Sequence, residues 1–409
     1  MSPEKDSASR APQAAERGVA CAADEAIDRL GPLDPVRALY VHVPFCASRC
    51  RYCDFPTQAA PANDPRMGDY VEGLVMELFR RSRAGELADV RTVYLGGGTP
   101  SHLGIRHLSS LLYALSLCVS LSRDDMECSM EANPESLSER MVLDMWAMGV
   151  NRLSIGVQSL DDDVLRLLGR PHDADAALRA IDAAHLRFEN VSCDLMCGIP
   201  GQSARTLVRD VERVVAAGVS HVSVYPLAIE EGTALERMVA RGELLELGDD
   251  EQAEHMEAAH EALEAAGLAR YEVASYARPG FACRHNIAYW TGVPYRGIGA
   301  GAASMLQGSA GRVRLTDGCV TDELSMREAV LEDVMLGMRL AAGIADEEAA
   351  RACASVPALG GVLERLRAQG LVEVREGRVR PTRRGWLCGN ELYGAILECP
   401  LDPLDRPSH

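Results

Sequence analysis

Nowhere does the sequence hold an apolar run approaching the roughly 20 residues that a membrane-crossing helix needs. Its first residues carry Glu4, Asp6 and Glu16 where a secretory leader would be apolar. Both absences point to a cytoplasmic chain, with peripheral contact to a membrane left open. Positive charge is also short. There are 42 Lys and Arg against 60 Asp and Glu, a formal net charge of -18. So acidic a surface repels phosphate backbones and anionic lipid, so nucleic acid is not expected as a partner. A disulfide framework is missing too: the 13 cysteines are odd in number and scattered, apart from one tight group. That usage fits a reducing, cytosolic compartment. At 409 residues, with 47% apolar and 25% charged, the chain can bury a large core without cross-links and divides into two or three domains.

Residues 1–36 are rich in Ala, Ser, Pro and charge and have weak periodicity, which predicts a mobile extension. From Ala38 onward, short apolar, β-branched runs alternate with amphipathic stretches. Strands are expected at Leu39–Val43, Thr92–Leu95, Glu127–Glu131, Arg152–Val157, Val191–Leu195 and His221–Tyr225. Helices are expected between them, at Arg66–Ser82, Arg106–Ser120, Ser138–Met148, Asp173–His185 and Ser203–Ala216. Such alternation predicts an α/β fold with a parallel sheet, and the count fits a partial, six-unit (βα)6 barrel over residues 37–275. A helix near Asp250–Ala266 and a short strand at Tyr271–Ala274 close that unit. Residues 276–321, rich in Gly and aromatics, read as a loop-like connection. Residues 322–400 read as a helical module with a two-strand ribbon turning at Glu376-Gly377, a winged-helix-like shape, followed by a tail over 401–409.

The unusual residues fall at the C-terminal ends of the expected strands, the face on which parallel barrels build their sites. The strongest group is Cys46-Ala-Ser-Arg-Cys50-Arg-Tyr-Cys53. Three thiolates in one loop can hold three corners of a 4Fe-4S cubane and leave the fourth iron open. An open iron can take the amino and carboxylate groups of S-adenosylmethionine (SAM), and an electron passed to the sulfonium would release a 5′-deoxyadenosyl radical. Structural zinc would want a fourth ligand, and no second paired-cysteine motif follows at that spacing.

Other strand-end residues suit SAM. Gly96-Gly97-Gly98-Thr99-Pro100 lets the backbone approach a ligand. Glu131 and Asp194 offer carboxylates for an amino group or hydroxyls, Gln158 a polar amide, and Arg170 a partner for a carboxylate. Each alone is equally readable as a structural cap or ion pair. Cys193, inside the fifth expected strand, is read as a packing residue, and neither it nor Cys197 is assigned to metal. His285-Asn286-Ile287-Ala288-Tyr289-Trp290 places a histidine beside aromatics, a pattern open to iron or heme ligation and more often simple packing.

Taken together, Tyr40 to Cys46 (Tyr-Val-His-Val-Pro-Phe-Cys), Tyr52-Cys53-Asp54-Phe55, Gly96–Ser101, Glu131–Pro134, Gly156–Ser159, Asp194–Gln202, Tyr271–Tyr276, Cys283–Trp290 and Gly297–Gly301 resemble the oxygen-independent coproporphyrinogen III oxidases. More closely they resemble that family's HemW branch of heme chaperones. The resemblance spans residues 38–397. It implies a partial radical SAM barrel with a helical C-terminal domain, and SAM contacts from Tyr40, Tyr52, Gly97, Gly98, Thr99, Glu131, Gln158, Arg170 and Asp194. It also implies heme binding through His285, Asn286, Tyr289 and Trp290. One departure separates the branches: decarboxylating members carry a fourth cysteine two residues after the third, and here that position is Phe55.

The expected function is therefore heme binding and transfer. Its partners are heme, acceptor proteins and an electron donor; the sequence does not fix the oligomeric state, with a homodimer left open. Decarboxylation of coproporphyrinogen III to protoporphyrinogen IX is the alternative, with another radical SAM substrate behind it. The arginines at 375, 378, 380, 383 and 384 leave a weak nucleic-acid reading that the acidic whole disfavours.

Overall fold

The computed structural model describes residues 22–401. Six parallel strands form its centre: β1 (Ala38–Val43), β2 (Thr92–Gly97), β3 (Glu127–Ala132), β4 (Arg152–Gln158), β5 (Asn190–Cys197) and β6 (His221–Pro226). Each lies within three residues of its expected bounds. Their side chains alternate. Leu39, Val41, Val93, Leu95, Met130, Leu153, Ile155, Val191, Leu195, Val222 and Val224 belong to the main apolar core. The intervening positions are polar and meet one another: Ser154 bonds Asp194, Ser192 bonds His221, and Tyr94 bonds Glu131. This period of two gives the barrel an apolar outside, covered by helices, and a polar inside.

Helices α2 (Pro65–Arg83), α3 (Gly104–Cys118), α4 (Glu139–Ala147), α5 (Asp162–Leu168), α6 (Ala174–Ala184), α7 (Ala204–Ala216), α8 (Ala234–Ala240) and α9 (Asp249–Ala265) connect or cover the strands. Most begin on a side chain that accepts a backbone N–H: Asp64, Ser138, Asp161, Asp173, Ser203 and Thr233. The stretch expected as an extension is partly helical. Residues 22–29 form α1, which buries Ala23 and Ala26 in the main core with Leu30 and Val36 behind it, because its few apolar residues recur at helical spacing. Residues 1–21 lie outside the described residues, as do 402–409 of the expected tail.

The Gly-rich segment 276–321 is structured, contrary to the loop-like expectation. Strands β7 (Ala269–Arg270) and β8 (Ser275–Ala277) pair antiparallel beside β6, and Tyr271–Ala274, expected as a strand, is the turn between them. Helix α10 (Arg284–Trp290) follows. Strand β9 (Tyr295–Ile298) then pairs parallel to β1. The antiparallel strands β10 (Ala303–Gly308), β11 (Gly311–Thr316) and β12 (Cys319–Ser325) extend the sheet to twelve strands. Glycine serves here for close approach: a Cβ on Gly297 would lie 2.2 Å from the Ala303 carbonyl oxygen.

The C-terminal module has its own core of Leu331, Val334, Leu359, Val362, Leu366, Leu392 and Ile396. Its order is α11 (Met326–Gly337), β13 (Ile344–Ala345), α12 (Asp346–Ser355), α13 (Ala358–Ala368), β14 (Val372–Arg375) and β15 (Arg378–Pro381), the winged-helix succession. Two short helices, α14 (Arg383–Leu387) and α15 (Gly389–Leu397), end it. The arginines of its basic stretch are committed internally: Arg380 pairs with Glu373, Arg378 binds the carbonyls of Ala342 and Gly343, and Arg383 reaches Glu257 and Glu261 on α9. Trp386 donates to the Val273 carbonyl at 2.8 Å, fixing the module to the barrel.

Candidate functional site

The loop after β1 is held from several sides. Gly98 and Thr99 donate backbone N–H groups to Val43 and Phe45, Arg51 N–H bonds the Leu168 carbonyl at the end of α5, and Leu235 N–H bonds the Arg51 carbonyl. The Arg49 guanidinium closes on the Cys53 carbonyl at 3.1 Å. So held, Cys46, Cys50 and Cys53 line one cavity of about 360 Å³ at the C-terminal ends of the strands. Donors face the sulfurs: Thr99 Oγ1 lies 3.5 Å from Cys46 Sγ, and Arg170 Nη1 lies 3.4 Å from Cys50 Sγ. Burial pushes the Cys46 thiol up to about 11. The twelve described cysteines are all free thiols; Cys193 sits in the apolar core as expected, and Cys197 is there too.

Tyr52, Gly97, Gly98, Thr99, Glu131, Gln158, Arg170 and Asp194 line the same cavity. Gly97 has φ 108°, and a Cβ there would lie 2.2 Å from the His42 ring. Gln158 takes φ 64° at a register shift between β4 and β5, a conformation rare for a side-chain-bearing residue and frequent at functional positions. Glu131 accepts from the Tyr94 hydroxyl at 2.9 Å and from Gly97 N–H at 3.0 Å. Burial and the neighbouring Asp194 raise its pKa to about 7. Asp194, also raised by burial, accepts from Ser154 at 3.1 Å. Arg170 Nη2 is tied to Asn133 Oδ1 and the Gly156 carbonyl, while its buried Nε has no partner among the described residues. A thiol trio, a free guanidinium donor and two buried carboxylates on one wall fit an iron-sulfur cluster and a zwitterionic amino acid group beside it.

Among the cavity residues given no role by the sequence are Tyr94 and Ser154. The strand period could have found Tyr94 and Ser154, since each occupies an inward position between apolar neighbours. Tyr40, expected against SAM, stacks on Tyr94 and is not on this cavity's wall. Its hydroxyl pairs with His42 Nδ1 at 3.0 Å, and it lines a second hollow of about 390 Å³ together with Tyr289 and Trp290. Phe55 is on the wall of both cavities and 58% exposed.

His285 does not present a free ring. It is 1% exposed, with Nδ1 at 2.9 Å from Thr92 Oγ1 and Nε2 at 3.0 Å from the Tyr289 hydroxyl, and it stacks on Tyr94. Burial, with Arg152 nearby, depresses its pKa to about 3. In this conformation His285 packs, with both ring nitrogens engaged. Asn286 faces Cys283 at 3.4 Å and is not on the hollow's wall. Glu127, also not anticipated, caps α10 by accepting from the N–H groups of Arg284 and His285.

A barrel with three cysteines in the loop after its first strand and a Gly-rich turn after its second defines a radical SAM protein. The Radical SAM superfamily profile matches residues 40–214, and that of the HemN C-terminal domain matches residues 324–388. The chain is 32% identical to the heme chaperone HemW of Bacillus subtilis, over 88% of this chain and 99% of that protein. It is 38% identical to HemW of Mycobacterium tuberculosis, over 88% and 94%. The chain belongs to the HemW heme chaperone family within the radical SAM superfamily, whose cofactors are a 4Fe-4S cluster and SAM. The solved structure of Escherichia coli coproporphyrinogen III oxidase (HemN) superposes with a TM-score of 0.73 at 20% identity, covering 91% of this chain and 92% of that one, and shares the fold. No helix of the described residues is long and apolar enough to cross a membrane.

Proposed function

We propose that this chain binds heme and passes it to acceptor proteins, with a 4Fe-4S cluster on Cys46, Cys50 and Cys53 and SAM in the cavity beside it. The observation that carries the reading is the position of Phe55. It stands where a decarboxylating relative would have a fourth cysteine, and it joins the cysteine cavity to an aromatic hollow. A second cavity against the first suits a bound cargo alongside the cofactor.

The cluster, when bound, supplies an electron to the sulfonium of SAM. The chain's own residues position and tune. Thr99 and Arg170 direct donors at the sulfurs and stabilise their negative charge. Arg170, whose buried Nε has no partner among the described residues, would hold the SAM carboxylate, and Glu131 and Asp194 would take its amino group and ribose hydroxyls. Gly97 and Gly98 admit the ligand against the backbone.

An electron donor is required, and the cavity mouth beside Arg49, Asp54 and Glu230 is open to one. A cytoplasmic location and a homodimer belong to the same reading. The test is anaerobic reconstitution with iron and sulfide, addition of heme, and mixing with an apo-acceptor hemoprotein. Heme recovered on the acceptor supports the reading, and heme that never binds sinks it.

A further inference from the structure

Two side chains in the cysteine cavity stand at capping positions and do not cap. Thr99 and Asn133 each precede a short 3-10 turn, Pro100–Leu103 and Pro134–Ser136, where Thr and Asn ordinarily accept a backbone N–H. Neither side chain does so. They bond to each other instead: Asn133 Nδ2 donates to Thr99 Oγ1 at 2.9 Å. At the other end of the same amide, Oδ1 accepts from Arg170 Nη2 at 2.7 Å. Gly156 leaves room for it, since a Cβ there would lie 2.8 Å from Asn133 Oδ1. One side chain thus joins the two residues whose donors face Cys46 and Cys50.

The direction of this chain of bonds is fixed from the arginine end. A guanidinium carries donors only, so the amide must turn Oδ1 to Arg170 and Nδ2 to Thr99. The Thr99 hydroxyl therefore accepts from Asn133, and its single proton is left for the Cys46 sulfur 3.5 Å away. Thr99 is 2% exposed, so little water reaches that proton. Arg170 Nη2 is shared between Asn133 and the Gly156 carbonyl at 2.8 Å, and the guanidinium so held keeps Nη1 3.4 Å from Cys50 Sγ. The third sulfur has a separate neighbour: Cys53 Sγ meets Thr57 Oγ1 at 3.8 Å.

We propose that Asn133 is a positioning residue for the iron-sulfur centre: by orienting the Thr99 proton and the Arg170 guanidinium together, it raises the centre's reduction potential through Cys46 and Cys50. The proposal rests on the cluster assignment above. Hydrogen bonds to cluster sulfurs favour the more negative, reduced form, and an electron must be held there before SAM can receive it. Asn133 acts through its two neighbours, and only a carboxamide presents an acceptor to one and a donor to the other. Asn133→Asp would place acceptors at both ends and draw the Thr99 proton away from Cys46.

The test uses the full chain, reconstituted anaerobically with iron and sulfide and kept free of SAM. Redox titration followed by electron paramagnetic resonance reads the potential. Asn133→Leu is expected to lower the ratio of reduced to oxidised cluster at a fixed poise about tenfold, equivalent to about 59 mV for a one-electron couple, with iron per chain unchanged. Thr99→Val removes the relayed proton directly, so the double variant is expected to fall by less than the sum of the two. Thr57→Val, at the third sulfur, is expected to add in full to Asn133→Leu. Asn133→Asp, the closest in shape, is read by electron-nuclear double resonance after exchange into deuterium oxide. It and Thr99→Val are both expected to lose an exchangeable-proton coupling that the wild-type reduced cluster shows. A wild-type potential in Asn133→Leu, full additivity with Thr99→Val, or a retained coupling in Asn133→Asp would overturn the proposal. If the wild type itself assembles no cluster, the cysteine assignment fails and the positioning role falls with it.

Discussion

The hydroxyl of Tyr94 donates to Glu131 at 2.9 Å, and the ring that carries it lies stacked on His285 with centroids 5.2 Å apart. Tyr94 therefore touches both the proposed SAM cavity and the helix that supplies Tyr289 and Trp290. A charge-assisted hydrogen bond contributes about 1.5–3 kcal/mol, so Glu131→Gln is expected to weaken SAM binding by roughly tenfold or more. Isothermal titration with SAM measures it, and an unchanged affinity would remove Glu131 from the site.

The same carboxyl has a pH signature. Its folded pKa is raised from 4.5 to about 7, chiefly by burial. The folded state thus keeps a proton that the unfolded chain has already given up, and the stability Glu131 permits falls as pH rises from about 4.5 to about 7. A SAM amino group prefers the ionised carboxylate, so affinity is expected to climb as pH rises through about 7 and then level. Glu131→Gln should flatten both trends; a pH series of binding and urea midpoints checks this.

Helix α10 depends on one remote side chain. Glu127, buried at the start of β3, accepts from Arg284 N–H and His285 N–H, each at 2.9 Å. Glu127→Ala leaves the buried His285 N–H unpaired at about 1–3 kcal/mol and frees the part-buried Arg284 N–H as well. A fall in the urea midpoint together with weaker heme uptake is expected; a variant as stable as the wild type would contradict the capping role.

The junction between sheet and C-terminal module rests on a buried cation. Arg312 is fully buried, bonded to Glu332, to Asp333 at 2.6 Å and to Gln307. Removing one member of such a network costs about 3–5 kcal/mol, because the partners keep their buried charge. Arg312→Ala is expected to unfold at clearly lower denaturant, read by circular dichroism.

Much of this was legible in the sequence, for physical reasons. The six barrel strands alternate apolar outward residues with polar inward ones, and the cysteine loop carries its chemistry in local spacing. The Gly-rich strands β9 to β12 were not legible. Gly297 and Gly311 are there so that backbones can approach, and glycine carries no periodicity. Helix α12 was missed because its short, Ala- and Glu-rich run shows little apolar face, burying only Ala349 and Ala352. The surroundings of Tyr40 and His285 were not legible for another reason: residue type says what a side chain can bind, whereas its neighbours decide what it touches. Thr92 and Tyr289 occupy both nitrogens of His285, and they are far from it or four residues on in sequence.

The central claim is that the chain carries heme and does not decarboxylate its precursor. The most direct test incubates the anaerobically reconstituted protein with SAM and reductant, giving heme to one sample and coproporphyrinogen III to another. Tight heme binding with no protoporphyrinogen IX formed is the expected result. Turnover of coproporphyrinogen III with SAM consumed, and no heme retained, would contradict it and show that Phe55 does not separate the two functions.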